Sequence, residues 1–561
     1  MFVEESGNLV PILSIVILAL LLAIIWLLWL RSSESKDNGD DDGGDKDPKE
    51  KPAISYFVRD QIILSANNVN EINRAKDRLE ELDGFKIVME QYTPDEPKRG
   101  EPAKYDHDSE GSSQIEANAQ KAPSKIVLTD CKFAAILFRI VSNPNNKSIP
   151  QIAEAIYQFR FDDEPINVDS NPNYKIGRPV VELEGDPGSS EGFPVSDAGP
   201  GSSFREHLNQ WALHGRTPNN GFGIDLFTTQ FLEGENPNPF EHRSTEVTGK
   251  GSFVAVFDTS PYDDYKVLPE MPPSQANPSA LDEFIEVVEH NEVRGVPDAR
   301  DHGLFVASLV HVVAPNSTIH LYRVLNDSNR GDSFMLIQKL GEVINRRMRF
   351  GEDNGLEQKL CGTVINLSLG VHALNRDGEP NLYLPCLYYL LRCADKHGAI
   401  IVAAAGNDSA QQPIQKPPQA PASFNFVIGV GSSNYQGGYS CFSNKGDVLA
   451  PGGDNEPSCD LTPYADLDDA TKRRTSVIGY SKETSPETNY AYWKGTSFST
   501  PLVSGLAALL LEKTDCNPDR VKEIITTAVA SPQAVPGIQS EMPIINVREA
   551  MTMAENGVST P

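Results

Sequence analysis

Three short segments carry residue types that could do acid–base and nucleophilic chemistry. Ser497 lies in Gly495-Thr496-Ser497-Phe498-Ser499-Thr500-Pro501, directly before the apolar run Leu502 to Leu511. A hydroxyl there sits at a helix N-terminus, where unsatisfied N–H groups and the helix dipole favour developing negative charge. Two roles fit: an ordinary N-cap, or a nucleophile, which needs a base and an orienting acid from elsewhere in the chain. Asp258 closes the run Phe253 to Phe257, a short stretch without polar alternation that reads as a buried strand. The C-terminal end of such a strand is where open α/β sheets place ligand and catalytic groups, although a lone Asp there also serves turns and caps. His302 opens the apolar helical stretch Gly303 to Val310, so its ring belongs at the helix mouth; a lone His in such a place is otherwise structural.

The elements that must position these residues follow the order Asp, His, Ser. Between the last two come Gly362-Thr363-Val364-Ile365-Asn366-Leu367-Ser368-Leu369-Gly370, then Gly398 to Asn407 ending in Ala404-Ala405-Gly406-Asn407, then Phe442-Ser443-Asn444-Lys445-Gly446 with Ala450-Pro451-Gly452. With Gln210-Trp211-Ala212-Leu213 ahead of them, these motifs resemble the subtilisin-like serine proteases (subtilases, the S8 peptidases) over roughly 204–556. The resemblance implies a doubly wound α/β fold on a mainly parallel sheet. It also implies a serine endopeptidase acting on polypeptides through an acyl-enzyme. Asp258, His302 and Ser497 would form the triad, in the family's chain order. Asn407 would be the oxyanion donor. Ser368, Leu369 and Gly370, facing Ala404, Ala405 and Gly406, would hold the substrate backbone and the side chain before the scissile bond. Both walls are small and uncharged, which suits a substrate added as an extended strand.

The chain departs from the family pattern at identifiable places. Asp258-Thr259-Ser260 stands where Asp-Thr-Gly is usual. His302-Gly303-Leu304-Phe305-Val306-Ala307-Ser308 stands where His-Gly-Thr-His-Val-Ala-Gly is common, so Ser308 replaces a helix glycine. The alternative function is a catalytically silent module that binds peptides in the same groove. Calcium is frequent in the family, but no Asp/Asn/Gly loop here matches an EF-hand, and no metal or cofactor is assigned.

The remaining sequence sets the surroundings. The chain has 561 residues, 39% hydrophobic and 23% charged, with a formal net charge of -29. That balance argues against nucleic acid as a partner, because phosphate binding needs clustered Lys and Arg. Residues 9–30 form an uncharged apolar stretch, long enough to cross a hydrocarbon core of about 30 Å. Trp26 and Trp29 near its end and Arg31 after it suit an interface, whereas Glu4 and Glu5 before it do not suit a cleavable signal. A single-pass membrane anchor is therefore expected. Arg31 and Lys36 place the C-terminal bulk on the cytoplasmic side by the positive-inside rule, although subtilases with a pro-region are most often exported. The seven cysteines show no evident disulfide framework.

Residues 31–53 are rich in Asp, Gly, Ser and Lys and read as a flexible acidic linker. Residues 54–175 read as a smaller domain with strands at Phe57–Leu64, Phe85–Tyr92, Phe133–Val141 and from Ile166. Amphipathic helices are expected over Asn67–Leu82 and Ile149–Phe159. The order βαββαβ is that of a ferredoxin-like unit. Lying just before the protease-like region, it also resembles a subtilase pro-region, which implies an intramolecular folding aid and inhibitor. An unrelated accessory domain would share the same element order. Residues 176–203 are expected to be an accessible linker where self-cleavage would occur. Inside the protease-like region, Ala280 to His290 reads as a helix, and Asp454 to Asn489 as a polar surface loop.

Overall fold

The computed structural model describes residues 57–83, 85–89, 125–146, 176–185, 193–194, 207–214, 221–227, 243–261, 285–289, 301–326, 329–371, 384–410, 414–454, 467–481, 489–527 and 543–556. The expected membrane span, the acidic linker, the helix at Ile149–Phe159 and the strand from Ile166 lie outside them. Among the described residues no helix is long and apolar enough to cross a membrane.

The N-terminal part comprises β1 (Phe57–Ala66), α1 (Val69–Asp83), β2 (Lys86–Met89), β3 (Lys125–Leu128), β4 (Phe133–Ser142) and β5 (Ile176–Gly185). Its central strands pair antiparallel in the order β5-β1-β4-β2, and β3 adds to β4. β1 and β4 are apolar on both faces. Ile62, Leu64, Ala134, Ile136 and Phe138 pack under α1 against Ile72 and Leu79. The alternate residues Ile63, Ala135 and Leu137 face the protease-like part. β5 corrects the expected linker: the first ten residues of 176–203 are strand.

The protease-like part continues with β6 (Phe193–Pro194), β7 (Phe253–Asp258), β8 (Ile285–Val287), α2 (His302–Val313), β9 (Thr318–Arg323), β10 (Arg330–Asp332), α3 (Ser333–Asp353), β11 (Thr363–Leu367) and β12 (Leu369–Gly370). There follow α4 (Pro385–Lys396), β13 (Ile400–Ala404), β14 (Ile428–Ser433), β15 (Val448–Pro451), α5 (Asp469–Thr475), β16 (Val477–Tyr480), β17 (Tyr490–Trp493), α6 (Thr496–Lys513), α7 (Pro518–Thr527) and α8 (Val547–Glu555). Seven strands form one sheet, β15-β14-β13-β11-β7-β9-β8, with parallel neighbours throughout. Parallel strands are covered on both faces, which is why they read as unbroken apolar runs. Val254, Val256, Val364, Ile400 and Val402 join the core beneath α2 and α6. Phe253, Ala255, Phe257, Ile365 and Ile401 join the core beneath α3 and α4. Strand alternation thus feeds two cores, as a doubly wound sheet requires.

Two local expectations are corrected. Within Ala280 to His290, the described residues Ile285–Val287 are a strand, because they pair in parallel with Ile319–Leu321 at the sheet edge. The polar stretch Asp454 to Asn489 holds α5, capped by the Asp468 carboxylate accepting from Thr471 N, and β16, which is buried against β17.

Candidate active site

Asp258 is the last residue of β7 and His302 the first of α2, so a strand end and a helix start bring them together. His302 Nδ1 lies 2.7 Å from Asp258 Oδ1, and the same oxygen accepts from Thr259 N at 2.7 Å. Both side chains are fully buried. The close approach requires Gly303: a Cβ there would lie 2.2 Å from the Thr259 carbonyl and 2.9 Å from Asp258 Cβ. Thr259 Oγ1 in turn accepts from Gly303 N at 2.9 Å. His302 Nε2 has no hydrogen-bond partner among the described residues. Around the imidazole stand Trp493, edge-on at 5.5 Å between centroids, and Phe498 at 5.1 Å.

The helix behind His302 is anchored at its far end, where the half-buried Arg243 guanidinium donates to the Val312 and Val313 carbonyls. Cations at helix C-termini satisfy orphan carbonyls and oppose the dipole. The two departures in the motifs are accommodated differently. Ser308 Oγ donates to Phe305 O and accepts from Tyr480 N, which ties α2 to β16 where glycine would give contact alone. Ser260 is buried, and its hydroxyl has no partner among the described residues.

Ser497 lies in the first turn of α6, which starts at Thr496. Pro501 is in the second turn and has no N–H, so the Ser497 carbonyl lacks its regular i+4 donor. Ser368 Oγ fills that position at 2.9 Å, while Ser497 Oγ donates to the Ser368 carbonyl at 3.1 Å. The reciprocal pair clamps the helix start to the β11–β12 junction. In this structure the Ser497 hydroxyl is therefore directed at Ser368 and not at His302.

Asn407 follows β13. Its Oδ1 accepts from Thr496 N at 3.0 Å, whereas its Nδ2 has no partner among the described residues. A buried amide donor normally finds an acceptor; this one is open, on a side chain bonded to the residue before Ser497. Asn444 holds the Asn407 loop, donating Nδ2 to Ala405 O and accepting from Asp408 N, both at 3.1 Å. The sequence singled out the Phe442-Ser443-Asn444 motif without giving Asn444 this positioning role.

Of the two expected walls, Ala404 ends β13 and Leu369–Gly370 form β12, which pairs with β5. Gln419 fills the space between them and was missed. Its amide group lies 2.0 Å from where a Gly370 Cβ would be and 2.7 Å from a Gly406 Cβ. Gln419 Nε2 also donates to Asp408 Oδ2. The space between Gly370 and Gly406 is thus filled by a polar group, and no local sequence pattern marks Gln419. Among the described residues no group of three or more His, Cys, Asp or Glu is placed to hold a metal ion.

The sheet, the two helices bearing His302 and Ser497, and the Asn407 loop define a subtilisin-like α/β fold. The sequence matches the subtilase family over residues 249–543, more than half of the chain, and the chain belongs to that family of serine proteases. It is similar to the nisin leader peptide-processing serine protease of Lactococcus lactis subsp. lactis, with 29% identity over 261 residues, 41% of this chain and 36% of that protein. It is also similar to a thermophilic serine proteinase of Bacillus sp. (strain AK1), with 28% identity over 226 residues, 38% of this chain and 43% of that protein. The chain therefore spans well under two thirds of these relatives' lengths. Among solved structures, the epidermin leader peptide processing serine protease of Staphylococcus aureus aligns at 17% identity. That alignment covers 89% of this chain and 99% of the other, with a TM-score of 0.47.

Proposed function

We propose that the protein is a serine endopeptidase in which Ser497 is the nucleophile, His302 the general base and Asp258 the group that orients the imidazole. One observation carries this reading. The first turn of α6 is held by Asn407 through Thr496 N and packed by His302 against Phe498, while His302 Nε2 and Asn407 Nδ2 both lack partners. With the Nδ1–H held on Asp258, Nε2 is the lone pair that takes the Ser497 proton once the hydroxyl turns from Ser368 toward it. The serine oxygen then attacks a peptide carbonyl. The oxyanion is bound by Asn407 Nδ2 and the Ser497 backbone N–H. The imidazolium returns its proton to the leaving amine, and water releases the acyl group by the same steps. The substrate is a polypeptide, laid against β12 as a strand.

The N-terminal domain is proposed as an inhibitor of this site, built on a ferredoxin-like sheet. In support, β5 runs antiparallel to β12, with Gly185 opposite Leu369 and Glu184 opposite Gly370, and also pairs with β10. The chain's own strand thereby occupies the edge that a substrate would use. Asp258, His302 and Ser497 have no exposed surface, so a substrate reaches them only after a rearrangement.

A membrane tether through residues 9–30 rests on the sequence. Five disulfide-bonded cysteines favour an oxidising compartment over the cytoplasmic side drawn from Arg31 and Lys36. Protease added to intact cells would degrade the chain in the first case and spare it in the second.

The hydroxyl of Ser497 turned onto Ser368 is the observation that favours the silent peptide-binding module. Fluorophosphonate labelling read by intact mass separates the two, with Ser497→Ala as control. The enzyme reading expects one adduct on the wild type and none on the variant, with peptide hydrolysis reduced at least about 10⁴-fold in the variant. An unlabelled wild type, after the N-terminal domain has been cut away, would leave the binding module.

A further inference from the structure

The N-terminal domain is tied to the protease-like part by a covalent bond. Cys131, in the turn between β3 and β4, is disulfide-bonded to Cys393 on α4, across 262 residues of sequence. The bond crosses the layer where Ile63, Ile126 and Leu137 pack against residues of α3 and α4. Two further contacts flank it. Asp130 pairs with Lys359 at 3.3 Å, and the buried Cys386 thiol donates to Ser65 Oγ at 3.0 Å. Both bonded cysteines are partly exposed and line a solvent-open cavity together with Lys132, Arg392, Lys396 and His397. By contrast, the Cys361–Cys516 disulfide lies wholly within the protease-like part, with Cys361 buried.

Any single backbone cut between residues 131 and 393 gives two pieces that this bond still joins. A tether holds its fragment at an effective concentration on the order of mM. An inhibitory fragment with micromolar intrinsic affinity would then leave only about one site in a thousand open, and dilution would not change that fraction.

We propose that Cys131–Cys393 is a reducible tie. After the chain is cut between them, the N-terminal domain remains on the catalytic unit as a second, disulfide-linked chain, and a dithiol reductant is what releases it. The reductant supplies two electrons and two protons. The S–S bond breaks to two cysteine thiols, and the reductant's own two sulfurs leave as a disulfide. The retention follows from the bond alone. Its effect on activity rests on the inhibitor reading of the N-terminal domain.

The experiment uses the full chain with a specific protease sequence inserted within 195–200, so that the cut does not depend on the protein's own activity. In the Ser497→Ala background, the cut protein is expected as one band on a denaturing gel without reductant and as two with dithiothreitol. Two bands without reductant overturn the tie, and this arm needs no cysteine variant. In the otherwise wild-type protein at nanomolar concentration, peptide hydrolysis after cutting should rise at least about 10-fold on adding dithiothreitol. The cut Cys131→Ser/Cys393→Ser protein should be active without it. One joined band with full activity before reduction keeps the tie and removes the inhibitor reading. A cut double variant that still needs reductant assigns the effect to another disulfide and overturns the release step.

Discussion

The two large sheets solve the burial problem in opposite ways. The parallel sheet is covered on both faces by helices of the protease-like part, and β7, β9, β11 and β13 each feed two cores. The N-terminal sheet brings one helix, α1, for one face and borrows α3 and α4 for the other. Its edge is unfinished as well: Val88, Met89, Val127 and Val141 are large apolar residues left about half exposed on β2, β3 and β4. The difference teaches that the parallel layer supplies helices for both of its faces, whereas the N-terminal sheet is built to sit on two of those helices. Backbone pairing at β10 and β12, an apolar layer and one disulfide hold it there.

The largest effect that would test this contrast comes from Asn407→Ala. The Asn407 amide follows β13 and is bonded to the first residue of α6. Turnover is expected to fall about 10²- to 10³-fold with KM little changed. The thermal unfolding profile should keep its shape. An equal rise in KM, or an unfolding profile that changes shape, would assign the effect to the lost hold on Thr496 N and not to the open Nδ2.

A smaller effect separates the two parts by pH. His207 is buried and His311 half-buried in the protease-like part, and desolvation, the main cause in each, holds both at about 4. Nearby positive charge on His207 and Arg243 adds to the depression of His311. The unfolded chain therefore binds more protons than the folded one between about pH 6.5 and 4. The stabilisation from keeping these rings neutral is complete above that window and is lost as pH falls through it. The described residues of the N-terminal sheet contain no histidine. Calorimetry should show the transition of the protease-like part moving down by several degrees across the window, and substitution of His311 by Gln should shrink that movement. A transition temperature that stays constant from pH 6.5 to 4 would contradict the desolvation of both rings.

How much was legible in the sequence follows from how local each signal is. Phe253 to Asp258, His302 to Val310 and Gly495 to Pro501 each hold a candidate site residue at the end of a strongly apolar element, so type and position could be read together. β8 was misread as helix because its three residues owe their conformation to pairing with β9, and strand preference depends on such neighbours. β5 was read as linker for the same reason: its partners, β1, β10 and β12, are distant in sequence.

The sequence by itself determined the order of the candidate reactive groups, the apolar strands and helices that end in them, and the family to which the chain belongs. Only the tertiary structure decided that Ser368 replaces the hydrogen bond Pro501 cannot make, that Gln419 fills the space between two small-residue walls, and that Cys131 meets Cys393. The physical reason is distance along the chain. Period and capping are properties of neighbouring residues, whereas these three contacts join segments far apart in sequence that meet only when the two cores close.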